Sequence, residues 1–262
     1  MSARFIPLHL HSEYSLVDST IRIKQLVAAC AEAGLPAVAL TDDSNMFALV
    51  KFYKACSAAG IKPICGSDLW LAGHDEGRPW RMTLLCQNRE GYLNLSRLVS
   101  QVWRDGQTAG RPLLDPQWLG TGPEGASAGL IALFGRDSET ARLAMDQGLD
   151  VARAALQPWL QRFPDRLYLE LSRTGHPREE HWNNLALQLA TELDLPVIAS
   201  NDTRFLKQSD FDAHEARVCI NQGRVLADPK WPRDYTDQQY LKSAEAMEAL
   251  FADVPEALEN TV

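Results

Sequence analysis

The chain has 262 residues, 45% of them hydrophobic, enough to bury the core of one large α/β domain. Its net charge of −8 argues against a domain that grips nucleic acid by itself, since such surfaces are usually basic; a local basic groove stays open. The five cysteines, Cys30, Cys56, Cys65, Cys86 and Cys219, are odd in number and form no C-x-x-C pair, which argues against a disulfide framework or a cysteine zinc site and fits free thiols in a reducing cytosol. No signal peptide is visible and no apolar run approaches the roughly 20 residues of a membrane span, so the expectation is a cytoplasmic chain with no membrane partner.

Short β-rich runs alternate with amphipathic stretches along the chain. Strands are expected at 4–9, 36–41, 62–71, 81–86, 129–134, 166–171 and 196–200. Helices are expected at 21–33, 45–59, 89–103, 138–161 (as two helices), 177–193, 211–221 and 243–251. Seven strands in β-α alternation imply parallel pairing with right-handed crossovers, and so a closed or nearly closed barrel, with an open doubly wound sheet as the alternative. Residues 105–129 and 228–235 read as long loops within one domain. The stretch after Pro255 reads as a helix that stops early, so a fragment of a longer chain is expected.

Polar residues recur where strands end, the place at which β/α barrels collect function. His9 and His11 are spaced i, i+2, so on an extended strand they share a face and offer two imidazoles to one site. Asp18 follows in their loop. Later strand ends bring Asp42 and Asp43, Asp68, Arg81, Arg136, Glu170, and finally Asp202 with Arg204. Simpler roles compete: Asp18, Asp42 and Asp43 suit helix caps, and Asp202 suits a loop anchor. His74, His176 and His181 are expected in solvent and His214 in a structural contact. The tryptophans are expected mostly as core or loop anchors, with one or two marking an interface.

The runs HLHSEYSLVDS, ALTDDSNM, PICGSDLWL and VIASNDTRF together resemble the PHP (polymerase and histidinol phosphatase) domain family. The segment FDAHEAR and the tract from Asp228 to Thr261 narrow the resemblance to the PHP domain that opens bacterial replicative DNA polymerase III α subunits. It spans essentially the whole chain and implies a distorted seven-stranded (β/α)7 TIM-like barrel over residues 1–262, at the head of a longer DNA-directed DNA polymerase. Metal-competent members hold a trinuclear site. Carried over by motif, His9, His11, Asp18 and Asp202 are kept. Asp43 stands where the family has histidine and Asp68 where it has glutamate. Arg81 and Arg204 replace histidines, and Arg136 aligns with a cysteine.

A guanidinium is permanently charged, donates hydrogen bonds and does not ligate metals. The four aspartates and three arginines sum to −1 with neutral histidines. A unit charge pair at 4 Å is worth about 4 kcal/mol at an effective dielectric near 20, so these arginines both neutralise the aspartates and oppose metal entry. The expectation is a degenerate site with no catalytic residues and no cofactor beyond at most a weakly bound Zn, Mn or Mg ion. By resemblance, the partners are a proofreading exonuclease (ε-like) subunit, the rest of the polymerase chain and, in the holoenzyme, DNA. The alternative is a metal-dependent phosphoesterase, a 3′–5′ exonuclease or pyrophosphatase, using the remaining His and Asp ligands.

Overall fold

The computed structural model describes residues 5–73, 78–108, 110–120, 125–227 and 233–262. His74 and Trp231 lie outside these residues, as do Arg4 of the first expected strand and most of the 228–235 loop.

The sheet is built from β1 (Ala37–Leu40), β2 (Lys62–Leu71), β3 (Trp80–Cys86), β6 (Leu130–Phe134), β7 (Leu167–Ser172) and β8 (Val197–Ser200), in that spatial order. Two short strands, β4 (Gln107–Thr108) and β5 (Arg111–Pro112), form a separate hairpin within the long 105–129 excursion. β1 reads Ala-Val-Ala-Leu and is buried on both faces, the pattern of a parallel strand covered on either side. Its residues divide by face: Ala37 and Ala39 turn toward Ile6, Leu8, Leu133 and Ile198 inside the curl, while Val38 and Leu40 pack outward on the helices that flank it.

Those helices are α1 (Ile23–Glu32) and α2 (Leu49–Ala58). α3 (Arg89–Asp105), α4 (Glu139–Gln147), α5 (Leu149–Arg162) and α6 (Glu179–Leu193) cover the larger core on the other side. α7 (Phe211–Gln222), α8 (Ala244–Leu250) and α9 (Glu256–Glu259) complete the wall. Starts are fixed locally: Asn88 caps α3, Ser138 caps α4 and Ser243 caps α8, each side chain accepting a first-turn amide. Two helices fill 138–161, as expected, because Gly148 (φ 97°) separates them. No helix among the described residues is long and apolar enough to cross a membrane.

Two features differ from the sequence expectation. The sheet is not all parallel: β1–β2, β6–β7 and β7–β8 are parallel, but β3 runs antiparallel to both β2 and β6. The reason is the connection. β2 and β3 are joined by the eight residues 72–79, whereas a parallel crossover needs a dozen residues or more. The second difference is the first stave. Residues 5–11 are extended but form no regular strand, so the sheet is a curled half-barrel of six strands. This segment bridges the sheet's two edges by isolated bonds. Ala39 and Thr41 amides donate to the Pro7 and Leu10 carbonyls (2.8 and 2.9 Å). On the other side, His11 and Thr203 amides donate to the Thr203 and His9 carbonyls (both 3.1 Å). A full ladder fails because Pro7 has no N–H and the Leu10 amide donates to the Thr41 hydroxyl.

Candidate functional site

The extended segment delivers His9 and His11 to the end of the curl where the parallel strands finish. Asp18 arrives on the loop before α1, Asp43 just after β1, Asp68 on β2, Arg136 after β6, and Asp202 and Arg204 after β8. Arg81 reaches the same place from the beginning of β3, which the antiparallel direction of that strand brings to this end. Each of these sequence-selected residues contacts at least one other through an ion pair or hydrogen bond.

Arg204 is the hub. Its side chain is fully buried, donates to Asp18 Oδ2 at 2.7 Å, pairs with Asp202 Oδ1 through the other Nη atom, and meets the Nδ1 edge of His11. Asp202 adopts a left-handed backbone (φ 42°) that turns the chain back so that residues 202 and 204 present to one another. Arg81 approaches Asp18, Asp43 and Asp68 at 3.5–3.6 Å. Its guanidinium and that of Arg111 both stand 4.5 Å from the Trp70 ring centroid. Arg136 bonds Glu179 at 3.0 Å and approaches Asp202 at 3.8 Å. The cluster opens into a cleft of about 800 Å³ walled in part by Arg111, Trp103 and Tyr235.

The imidazoles are held from both sides. His9 Nδ1 meets Glu170 at 2.8 Å and His11 Nδ1 meets Asp18 at 2.9 Å. Their Nε2 atoms face Asp68 Oδ2 at 3.5 and 3.4 Å, and all three atoms are buried without a hydrogen-bond partner. His9, His11 and Asp68 are also the trio whose ligand atoms lie within 4.8 Å of one another among the described residues. Two imidazoles and a carboxylate suit a single small cation. Arg81 Nε, itself without a bond and 3.5 Å from the same Oδ2, competes for that carboxylate.

Four further residues support the site: Glu170 and Asp42, which the sequence places at strand ends, and Tyr235 and Gln239, which it does not single out. Glu170 stands at a strand end with no role of its own in the sequence; it orients His9, and a Cβ at Gly135 would sit 2.6 Å from its Oε2, so a side chain there would push the carboxylate aside. A single acid in the apolar strand Leu-Tyr-Leu-Glu-Leu-Ser was the available signal. Asp42 accepts from the Ser12 amide and from the Ser12 and Ser15 hydroxyls, fixing the turn that carries Asp18. Tyr235 donates to Asp18 Oδ2 at 3.2 Å and Gln239 to Asp202 Oδ2 at 2.8 Å; both come from distant sequence, and nothing local marks them. The helix-cap reading of the aspartates is not met: the residue at the start of α1 is Arg22 and that of α2 is Ala48. His214, by contrast, makes the structural contact expected of it, to the Asp18 carbonyl at 3.0 Å.

Burial alone would push the Asp18, Asp68 and Asp202 carboxyls up, but it is outweighed. Arg204, His11 and Arg81 hold Asp18 well below the ordinary range; Arg81 and both histidines do so for Asp68; Arg204, His9 and Arg136 do so for Asp202. Burial would likewise lower His9, yet the Glu170 and Asp202 carboxylates, with the hydrogen bond to Glu170 and the Asp68 carboxylate facing Nε2, raise it well above its usual value. His11 is raised more modestly against burial and Arg204. The linkage has two limbs. Depressed carboxyls add stability that is present above about pH 4 and lost as pH falls through their folded values. Raised histidines add stability that is present below about pH 6.5 and lost as pH rises through their higher folded values. The thermal midpoint should therefore fall on both the acid and the alkaline side, and His9→Gln should flatten the alkaline limb. A wild-type midpoint unchanged from about pH 6.5 to about pH 9 would rule out charged histidines here.

The comparisons with known proteins agree on the family. The PHP domain profile matches residues 7–174. The chain is 48% identical over 264 residues to the DNA polymerase III subunit alpha of Pseudomonas aeruginosa, an alignment covering 100% of this chain and 22% of the relative. It is 44% identical over 261 residues to that of Escherichia coli K12, covering 99% and 22%. The chain thus spans about a fifth of the length of these relatives. Among solved structures, an amidohydrolase from Chromobacterium violaceum with bound sulfate and no metal shares the fold at a TM-score of 0.51 and 14% identity, over 81% of this chain and 96% of that one. With its strand-end cluster and these matches, the chain belongs to the PHP-domain family and is homologous along its length to the N-terminal part of DNA polymerase III α subunits.

Proposed function

We propose that this chain is the PHP domain, residues 1–262, that opens a longer replicative DNA polymerase, and that it serves there as a scaffold and docking site for a proofreading exonuclease subunit. In this reading the trinuclear metal site of the family has been exchanged for a salt-bridge network, with residues 5–11 as the seventh stave of a distorted barrel. His9, His11, Asp18, Asp43, Asp68 and Asp202 are the metal-site remnant, and Arg81, Arg136 and Arg204 supply the charge that metals would bring. The observation that carries the reading is the buried Arg204 guanidinium paired with both Asp18 and Asp202. A cation fixed covalently to the chain neutralises those carboxylates permanently and leaves no open coordination position between them. The polymerase reaction and the contact with DNA belong to the rest of the longer chain, in the cytoplasm; the net charge of −8 suits a domain that adds little DNA affinity of its own.

A second reading is favoured by the three orphaned atoms: a single, weakly held Zn, Mn or Mg ion on His9 Nε2, His11 Nε2 and Asp68 Oδ2. Glu170 and Asp18 would orient the two imidazoles as outer partners. Such an ion supplies a Lewis acid for phosphoester hydrolysis.

Elemental analysis after equilibration with Zn²⁺ and Mn²⁺, with the thermal shift each produces, separates the two. A ligand of the native state raises the melting temperature. No bound ion and a midpoint indifferent to chelator is the expected result. One ion per chain, with a shift abolished in His9→Gln, supports the second reading. Two or more ions per chain would overturn the salt-bridge reading. Co-purification with a proofreading exonuclease subunit tests the docking role, and its failure with the intact polymerase chain would overturn that role.

A further inference from the structure

The short β2–β3 connection leaves a slot in the outer wall. Elsewhere in the sheet, successive strands are joined through at least one helix; between β2 and β3 the described residues contain none. α2 and α3 therefore flank a groove of about 530 Å³ with Cys65 of β2 and Cys86 of β3 on its floor. Sheet residues that a helix would normally cover remain half-exposed there. The groove shares no residue with the Arg204 network.

Its walls are apolar and open. Val50 and Tyr53, one helical turn apart on α2, are 65% and 55% exposed, and Tyr92 on α3 is 39% exposed. Single exposed hydrophobic residues are ordinary, but several lining one concave slot mark a contact surface. The charge there is one-sided. Lys54 and Arg89 line the groove, no carboxylate does, and neither cation has an ion pair among the described residues. On a chain of net charge −8 this is a locally cationic, apolar channel between α2 and α3.

We infer that the groove docks an acidic amphipathic helix of a partner chain. Its apolar stripe would lie against Val50, Tyr53 and Tyr92, and its flanking carboxylates would meet Lys54 and Arg89. The occupant takes the place in the wall that a crossover helix would hold, and its i, i+3, i+4 anchors replace solvent over Cys65 and Cys86. Lys54 and Arg89 set the sign of the partner, since like charges brought onto this rim are repelled. The inference stands apart from both the metal site and the exonuclease docking role.

The test is fluorescence anisotropy on the 262-residue chain with two labelled model helices of about 18 residues. Both carry the same leucine stripe; one has glutamates on its flanks and the other lysines. The acidic helix should bind at least about tenfold more tightly. Tyr53→Glu should weaken it by a similar factor, and the double replacement Lys54→Glu, Arg89→Glu should transfer the preference to the lysine helix. These positions are on the surface, and circular dichroism verifies that each variant is folded. Binding of neither helix, equal binding of both, or an acidic preference that survives the charge reversal overturns the inference.

Discussion

Replacing Arg204 by methionine should lower the stability of the chain by about 3–5 kcal/mol, the usual cost of removing one partner from a buried ion pair. The methionine is close in length, so the loss is electrostatic more than steric. Asp18 and Asp202 would be left among groups buried with them, and the largest influence that depresses both carboxyls would be gone. For a domain of this size, such a loss corresponds to a fall in melting temperature on the order of 10 °C. Urea denaturation measures it. The neutralised triple variant, Arg204→Met with Asp18→Asn and Asp202→Asn, should recover a large part of the loss, because no unpaired charge is then buried. A single-variant loss below about 1 kcal/mol would mean that water reaches the site and that Arg204 is not its counter-ion.

Phe134→Ala is expected to have an effect of the same size through packing. Phe134 closes β6 and is fully buried in an aromatic trio with Trp80 and Trp159, at centroid separations of 5.6 and 5.5 Å and interplanar angles of 70°. The two tryptophans stand 5.2 Å apart at 84°. Edge-to-face contacts of this kind add about 0.5–1.5 kcal/mol beyond area burial. Truncating a buried phenylalanine costs about 3–5 kcal/mol because the cavity collapses only partly. The damage should also reach the site. Gly135 and Arg136 follow directly, so a loosened end of β6 shifts the cation paired to Glu179. Phe134→Leu, which keeps most of the volume, should cost less, and urea titrations of the two variants check the order. Equal costs would assign the effect to the backbone.

The strands and helices were legible because each carries its own period. The Ala-Val-Ala-Leu run of β1 and the stripe of α3 need no partner to be recognised. The direction of β3 was also written locally, in a form easily passed over. Two strands separated by residues 72–79, with a Gly-Arg-Pro and no helical pattern between them, describe a hairpin. Reading every strand as part of a β-α repeat hid it. In the site, His9, His11, Asp18, Asp68, Asp202 and Arg204 lie in recognisable runs, and Arg81 and Arg136 are marked by their places at the start of one strand and just past the end of another. Tyr235 and Gln239 are not, since their place beside Asp18 and Asp202 is decided by how a distant segment folds back. Glu170 lay between. Its strand marked it as inward or outward facing, but its contact with His9, made beside Gly135, is set by how two distant segments pack.

The mixed direction of the sheet bears on the order of assembly. The β2–β3 hairpin pairs residues close in sequence, and hairpins form within microseconds. The bonds that tie residues 5–11 to Thr203 join opposite ends of the chain, so their loop-closure entropy is met only once the intervening strands are in place. Arg204 pairs with Asp18 across that same seam. Its contribution should therefore be absent from the transition state: removing it hastens unfolding and leaves the refolding rate nearly unchanged, so the buried network acts as a late latch on a curled sheet already built.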